Sequence, residues 1–290
     1  MPECVQYANA GLGESPVWSA EEDALYWIDI NRPAIYRLNR EGVQTGNWPM
    51  PSAVGAIGLH GSGGLIVATE QEGISLLETT TGTLSHLARP VFDEPGRFND
   101  GRVDARGRFW VGWLTHARIS PGALLRIEPS GECVVVLDNL VAPNGLGWSP
   151  DATTMYVTDS HVGTIWAYEF DVDSGKLGTR RRFFEHPRSE GVVDGLCVDA
   201  EGFVWTALYN GWALLRLDSV GAIVATRSMP IALPTSCCFG GSNLEILYVT
   251  SAIRSQSGAD LVSQPAAGGI FAIVGAGHGR AEHRFGLIGA

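Results

Sequence analysis

Six short apolar phrases recur along this chain, each opening on a polar or small residue and leading into a glycine- or aspartate-containing turn. They are Glu14-Ser-Pro-Val-Trp18, Gly55-Ala-Ile-Gly-Leu59, Asn99-Asp-Gly-Arg-Val103, Asn144-Gly-Leu-Gly-Trp148, Asp194-Gly-Leu-Cys-Val198 and Thr235-Ser-Cys-Cys-Phe239. Their first residues follow one another at intervals of 41, 44, 45, 50 and 41 residues. A period of about 40–50 residues in strand-forming sequence is the mark of a β-propeller, whose blades cover their faces only by standing against one another.

Each phrase is followed by a tight turn and a strongly β-prone second strand: Ala24–Ile30, Leu65–Glu70, Arg108–Leu114, Thr154–Ser160, Phe203–Tyr209 and Ile246–Ala252. Third strands read at Ala34–Leu38, Gly73–Leu77, Ala123–Ile127, Thr164–Tyr168, Ala213–Leu217 and Gly269–Ile273, and a weaker fourth ends each unit, as at Cys133–Leu137. The pattern predicts an all-β, six-bladed β-propeller with four antiparallel strands per blade, occupying residues 1–290 as one domain. Ring closure is expected to pair the stretch near Val5–Tyr7 with the stretch near His283–Ile288. Trp18, Trp27, Trp110, Trp148, Trp166 and Trp205 occupy strand positions and are expected to pack between blades.

With 45% apolar residues the chain can bury a large core. A net charge of −11 argues against nucleic acid or an anionic membrane as partner, since both require a basic face. No apolar run approaches the roughly 18–20 residues of a membrane span. The first residues, Met-Pro-Glu-Cys-Val, lack a basic stretch followed by an apolar one, so the expectation is a cytoplasmic protein. Five cysteines without metal-type spacing read as reduced thiols, with Cys237 and Cys238 facing opposite sides of one strand.

In a propeller the first strand of each blade lines the central channel, so the six leading residues are expected to ring one mouth of it. Glu14, Asn144 and Asp194 then offer two carboxylates and an amide oxygen, hard donors that suit one divalent cation. Taken singly, Asn144-Gly and Asp194-Gly are also ordinary turn dipeptides; the shared repeat position favours a site. Arg97-Phe-Asn-Asp100 brings a cation, an amide and a carboxylate to the same rim. Extended backbone puts Arg97 and Asn99 on one side, placed to donate hydrogen bonds to a polar ligand; alternatively, Arg97 and Asp100 form a loop ion pair. His116 follows a second strand near this rim and reads as a loop histidine.

These residues carry a resemblance to the senescence marker protein/gluconolactonase family, the regucalcin-like sugar lactonases. The matching stretches are Gly13–Trp18, Arg97–Asp104, Asn144–Trp148, Asp194–Asp199 with Trp205 and Tyr209–Gly211, Thr235–Gly241, and Gln264-Pro with Gly268–Phe271, from first blade to last. The resemblance implies one catalytic divalent metal ion (Ca, Zn, Mn, Mg or Fe(II)) held by Glu14, Asn144 and Asp194. It implies Asp194 as acid/base and Arg97 and Asn99 as substrate-contacting residues. Animal members carry a longer segment after the second strand of blade three, with a glutamate that reaches the substrate; here Leu114–Gly122 is shorter and has no acidic residue.

The expected activity is metal-dependent hydrolysis of a sugar (aldono) lactone, such as gluconolactone or a pentonolactone, to the aldonic acid by a monomer or weak dimer. Two alternatives share the architecture: a non-catalytic calcium-binding regulatory protein, and an organophosphate or aryl-ester hydrolase. The second of these calls for larger apolar residues around the mouth.

Overall fold

Burial falls off from the first strand of each repeat to the fourth, and that gradient sets the architecture. Inner strands such as Gly13–Ser19 and Pro234–Gly240 are buried at every position, whereas outer strands such as Gln44–Pro49 and Ile223–Ser228 are largely exposed. A sheet with this gradient stands edge-on to an axis with its first strand innermost. The computed structural model describes residues 1–118 and 120–287 and contains six antiparallel sheets arranged as a six-bladed propeller.

Blade 1 is built from Gly13–Ser19, Ala24–Asp29, Ala34–Asn39 and Gln44–Pro49. The inner strands of blades 2 to 6 are Val54–His60, Gly96–Val103, Pro143–Trp148, Val192–Val198 and Pro234–Gly240. Every second strand runs antiparallel to its inner strand. Second strands therefore end at the rim where inner strands begin. A six-residue helix, Gly258–Ser263, follows the second strand of blade 6 and is capped by Ser257 and Asp260. Among the described residues no helix is long and apolar enough to cross a membrane.

Six clusters of buried side chains fill the wedges between neighbouring blades. Trp18 and Trp27 lie between blades 6 and 1, Trp110 and Trp148 between blades 3 and 4, and Trp205 between blades 5 and 6. Trp166 is partly buried against the wedge between blades 3 and 4, with the Arg180 guanidinium 4.4 Å above its ring. The expected role of the tryptophans between blades is thus observed. Cys237 and Cys238 enter different wedges, and all five cysteines are free.

Ring closure differs from the sequence expectation. The N-terminal strand Glu3–Gln6 pairs antiparallel with Ile270–Val274 and becomes the fourth strand of blade 6. Arg284–Phe285 instead adds in parallel to Leu59–His60, the end of the blade 2 inner strand, and Ile288 lies outside the described residues. The apolar strand Ile270–Val274 would otherwise expose an unpaired edge, whereas the tail from His278 offers no alternating pattern to cover one.

That tail crosses the opposite end of the propeller and ties all six blades together. His278 accepts from Ala200 in blade 5, Gly279 donates to Leu244 in blade 6, and Arg280 donates to Ser149 in blade 4. Arg284 bonds His60 of blade 2 and pairs with Glu21 of blade 1. Glu282 pairs with Arg102 of blade 3 at 3.3 Å, their side chains only 12% and 14% exposed. Removing one partner of such a pair strands the other charge. Glu282→Gln is therefore expected to lower unfolding free energy in urea by about 2–3 kcal/mol, with part of the deficit recovered in an Arg102→Met/Glu282→Leu variant. A Glu282→Gln protein as stable as the parent contradicts this role.

Candidate active site

Every inner strand slips register with its second strand near its first residues. The breaks fall at Glu14/Val17, Val54/Ala56, Asn99/Gly101, Pro143/Leu146, Val193/Leu196 and Pro234/Cys237. A bulge bends its strand and re-aims a side chain. Because six bulges occupy one repeat position, the leading residues meet at one end of the axis. Ser15 and Asp100 adopt left-handed φ angles of 47° and 46° in making them. Glycines admit the neighbouring blade: a Cβ on Gly145 would stand 2.3 Å from Leu196 N, and one on Gly195 2.2 Å from Ser236 Oγ. Asn144-Gly145 and Asp194-Gly195 are thus strand residues at a crowded axis, and the turn-dipeptide alternative does not hold.

Four leading residues, Glu14, Asn99, Asn144 and Asp194, line one cavity of about 280 Å³, and Arg97 joins them. All five residues singled out from the sequence are therefore brought together. The other two leading positions stay out of it. Gly55 has no side chain, and Thr235 donates its hydroxyl to Gly13 O. His116 is exposed, sits 3.1 Å from Glu70, and is not part of the cavity wall, as its reading as a loop histidine anticipated.

Hydrogen bonds fix the amides. The Asn144 amide donates to Asp194 Oδ1 and, at 3.0 Å, to Ser160 Oγ, whose own hydroxyl donates to Val193 O. Asn99 donates to Pro143 O at 2.8 Å, bridging blades 3 and 4, and its Oδ1 accepts from Arg97 at 2.7 Å. Arg97 also donates to Phe98 O, and no ion pair joins it to Asp100 among the described residues. The loop ion pair is therefore absent. Two buried aspartates hold the approaches to the site. Asp29 accepts from Gly11 and Leu12 N–H, just before Glu14, and Asp159 accepts from Val141 and Ala142 N–H, just before Asn144.

Arg118, Ser160, Tyr209 and Arg254 also line the cavity and were not identified from the sequence. Ser160 and Tyr209 stand at the ends of second strands, and Arg118 and Arg254 in the loops beyond them. The signal was topological: in an antiparallel blade these ends return to the rim from which inner strands start.

The floor is acidic. Burial, then repulsion from Asp194 and Asp100, pushes the Glu14 carboxyl well above its usual range. Burial and Asp100 push Asp194 up to about 8, against the opposing pull of the Asn144 hydrogen bond and of Arg97 and Arg118. Asp100, behind the cavity wall, is pushed up to about 6 by burial. Arg97 is lowered to about 10, first by burial and then by Arg118.

Known proteins resemble this chain over nearly its whole length. The family model for the SMP-30/gluconolactonase/LRE-like region matches residues 12–253, a span holding Glu14, Arg97, Asn99, Asn144 and Asp194. The chain belongs to this family. It is 36% identical to regucalcin of Xenopus laevis, over 95% of this chain and 94% of that protein. It is 37% identical to 6-deoxy-6-sulfogluconolactonase of Pseudomonas putida, over 93% of each. The crystal structure of a calcium-binding protein, regucalcin, from Agrobacterium tumefaciens superposes with a TM-score of 0.93 at 26% identity, covering 99% of this chain and 98% of that one.

In this SMP-30/gluconolactonase-like protein the donor set fits a divalent cation. Two carboxylates sharing one buried site repel unless protonated or bridged by positive charge. Among the described residues no three His, Cys, Asp or Glu side chains cluster tightly enough to hold an ion alone, and the amide of Asn144 lies beside Asp194 as a further group that bears a hard oxygen. Half a turn of that amide exchanges its nitrogen for its oxygen, giving up the Gly145 N–H bond to Oδ1 and the bonds the amide donates to Asp194 and Ser160.

The raised carboxyls make stability pH-dependent, with a definite sign. Glu14, Asp100 and Asp194 bind protons more tightly folded than unfolded. Their stabilisation is complete below the ordinary carboxylate range, about pH 4, and is lost as pH rises through about 6 for Asp100 and about 8 for Asp194. Thermal unfolding of cation-free protein is expected to show Tm falling between about pH 5 and pH 8, and a saturating divalent cation to flatten that fall. A cation-free Tm that climbs across this interval contradicts the assignment.

Proposed function

We propose that the protein hydrolyses a sugar (aldono) lactone to its aldonic acid, using one divalent cation held by Glu14, Asn144 and Asp194. The observation that carries this reading is the convergence of those three oxygen donors, from three blades, with Arg97 in a single polar cavity. At about 280 Å³ the cavity sits near the low end of small-molecule sites and suits one sugar-sized ring. Ten of its fourteen lining residues bear polar or charged side chains, which favours a polyhydroxylated ligand over an apolar aryl ester. The names of the relatives support both halves of the proposal, since one is a lactonase of a modified gluconolactone and another a calcium-binding protein.

A divalent cation bound there supplies Lewis-acid polarisation of the ester carbonyl and acidifies water in its coordination sphere. Asp194 Oδ2, which carries no hydrogen bond among the described residues, accepts the proton as the water oxygen bonds to the carbonyl carbon. Asp194 returns that proton to the ring oxygen as the ester C–O bond breaks. Arg97 orients the substrate with its remaining N–H groups, held in place by Asn99 Oδ1 and Phe98 O. Burial of Asp194 keeps the accepting oxygen fixed while protons move. A cytoplasmic setting and a monomeric or weakly dimeric state belong to the same proposal.

Acid release from gluconolactone and pentonolactones, followed in a pH-stat after chelation and re-addition of single ions, tests the reading. Turnover is expected to vanish on chelation and return with at least one ion. Asp194→Asn is expected to lower kcat by about 10²-fold or more without loss of fold. Cation binding without hydrolysis of any lactone would support the regulatory calcium-binding alternative, and undiminished turnover by Asp194→Asn would remove Asp194 from its role.

A further inference from the structure

We infer that Arg118 and Arg254 form a clamp for an anionic group on the substrate, carried at the end remote from the lactone carbonyl. The inference rests on the lactonase reading and narrows its substrate class. Both arginines line the same cavity as Glu14 and Asp194, but at a different depth. The carboxylates are buried, Arg97 is half-buried, and Arg118 and Arg254 are exposed at the rim. A sugar lactone with its ester at the floor therefore presents its far carbon to these two guanidinium groups.

Among the described residues neither guanidinium has another partner. Nine arginines pair with carboxylates among the described residues, whereas Arg118 and Arg254 pair with none. Nor does either side chain donate a hydrogen bond there, although their backbone N–H groups do. The two cations also oppose each other: Arg118 is held below its ordinary range by burial and then by Arg254. Asp194 pulls Arg118 the other way, and a divalent cation on Glu14 and Asp194 would offset that pull. The loaded cavity then holds three guanidinium groups in a chain whose net charge is −11. Local cations against so negative a background serve an anion that long-range electrostatics would otherwise turn away.

Space for such a group is present. Arg254 and Ser255, with Val192 and Tyr209, also line an adjoining cavity of about 580 Å³ that runs to Trp212 and Gln264. Arg254 thus stands where the two meet. A phosphate, sulfonate or carboxylate reaching that junction accepts forked hydrogen bonds from planar guanidinium groups, a geometry lysine does not reproduce.

The cation-loaded enzyme is assayed with glucono-1,5-lactone and with analogues bearing a 6-phosphate, a 6-sulfonate or a C6 carboxylate. The three charged arms establish which anion is preferred. Wild type is expected to favour at least one charged lactone over the neutral one by roughly tenfold in kcat/KM, chiefly through KM, the order one charge-assisted hydrogen bond supports. That ratio should collapse towards one in Arg118→Gln/Arg254→Gln, recover in part with lysine at both positions, and shrink as salt is raised. In parallel, calorimetric titration compares 6-phosphogluconate with gluconate, expecting tighter binding of the former by wild type and equal binding by the double variant. A wild-type preference ratio of one or less, or a ratio untouched by the double substitution, overturns the clamp. If no lactone turns over, the lactonase reading fails by itself. The titration still decides the clamp, and equal binding of 6-phosphogluconate by both proteins overturns it.

Discussion

Six inner strands must pass close to one axis, and there is not enough room there for six regular strands with full side chains. The molecule relieves this crowding in two ways, by glycines against the neighbouring blade and by a register slip in every inner strand. The slip turns the leading side chain towards the axis. The active-site geometry is therefore a consequence of closing the ring. Glu14, Asn144 and Asp194 come from blades far apart in sequence, yet each occupies the place the crowding dictates.

Crowding also generates the electrostatic problem that the site exploits. Two carboxylates held out of water beside Asp100 ionise only with reluctance, and both are displaced upwards from their normal range. A divalent cation bound there would resolve that conflict, and would offset the pull of the carboxylates on Arg97 and Arg118. On the proposed reading the cavity has two ends of opposite use: an acidic floor that would hold a Lewis acid against an ester, and a basic rim that would face the rest of the substrate. Buried aspartates just outside it, Asp29 and Asp159, anchor the loops that lead into Glu14 and Asn144. At the far end the Arg102–Glu282 pair and the crossing tail hold the blades at fixed spacing.

How much of this the sequence disclosed follows from which features repeat. Period and strand pattern are properties of every blade, so the six-bladed ring and the inter-blade tryptophans were legible. Repeat phase singled out Glu14, Asn144 and Asp194, and the short Arg97–Asp100 run added Arg97 and Asn99. Features that occur once were not legible. Whether Glu3–Gln6 or the tail pairs with Ile270–Val274 depends on which strand edge is left open in three dimensions. Arg118 and Arg254 lie in loops without period, and only knowing that second strands end at the same rim brings them into the cavity. Asp29 and Asp159 look like any turn aspartate until their backbone partners are seen. Even the glycines misled locally, because Asn-Gly and Asp-Gly serve turns elsewhere and here serve close approach between strands.

The central claim is that one cation is shared by three blades. Crystals soaked in Mn²⁺ and measured for its anomalous scattering test it most directly. The account predicts a single strong peak within bonding distance of Glu14, Asn144 and Asp194, lost in the Asp194→Ala protein. A peak bound elsewhere, or none at the cavity floor in a well-ordered map, would contradict it.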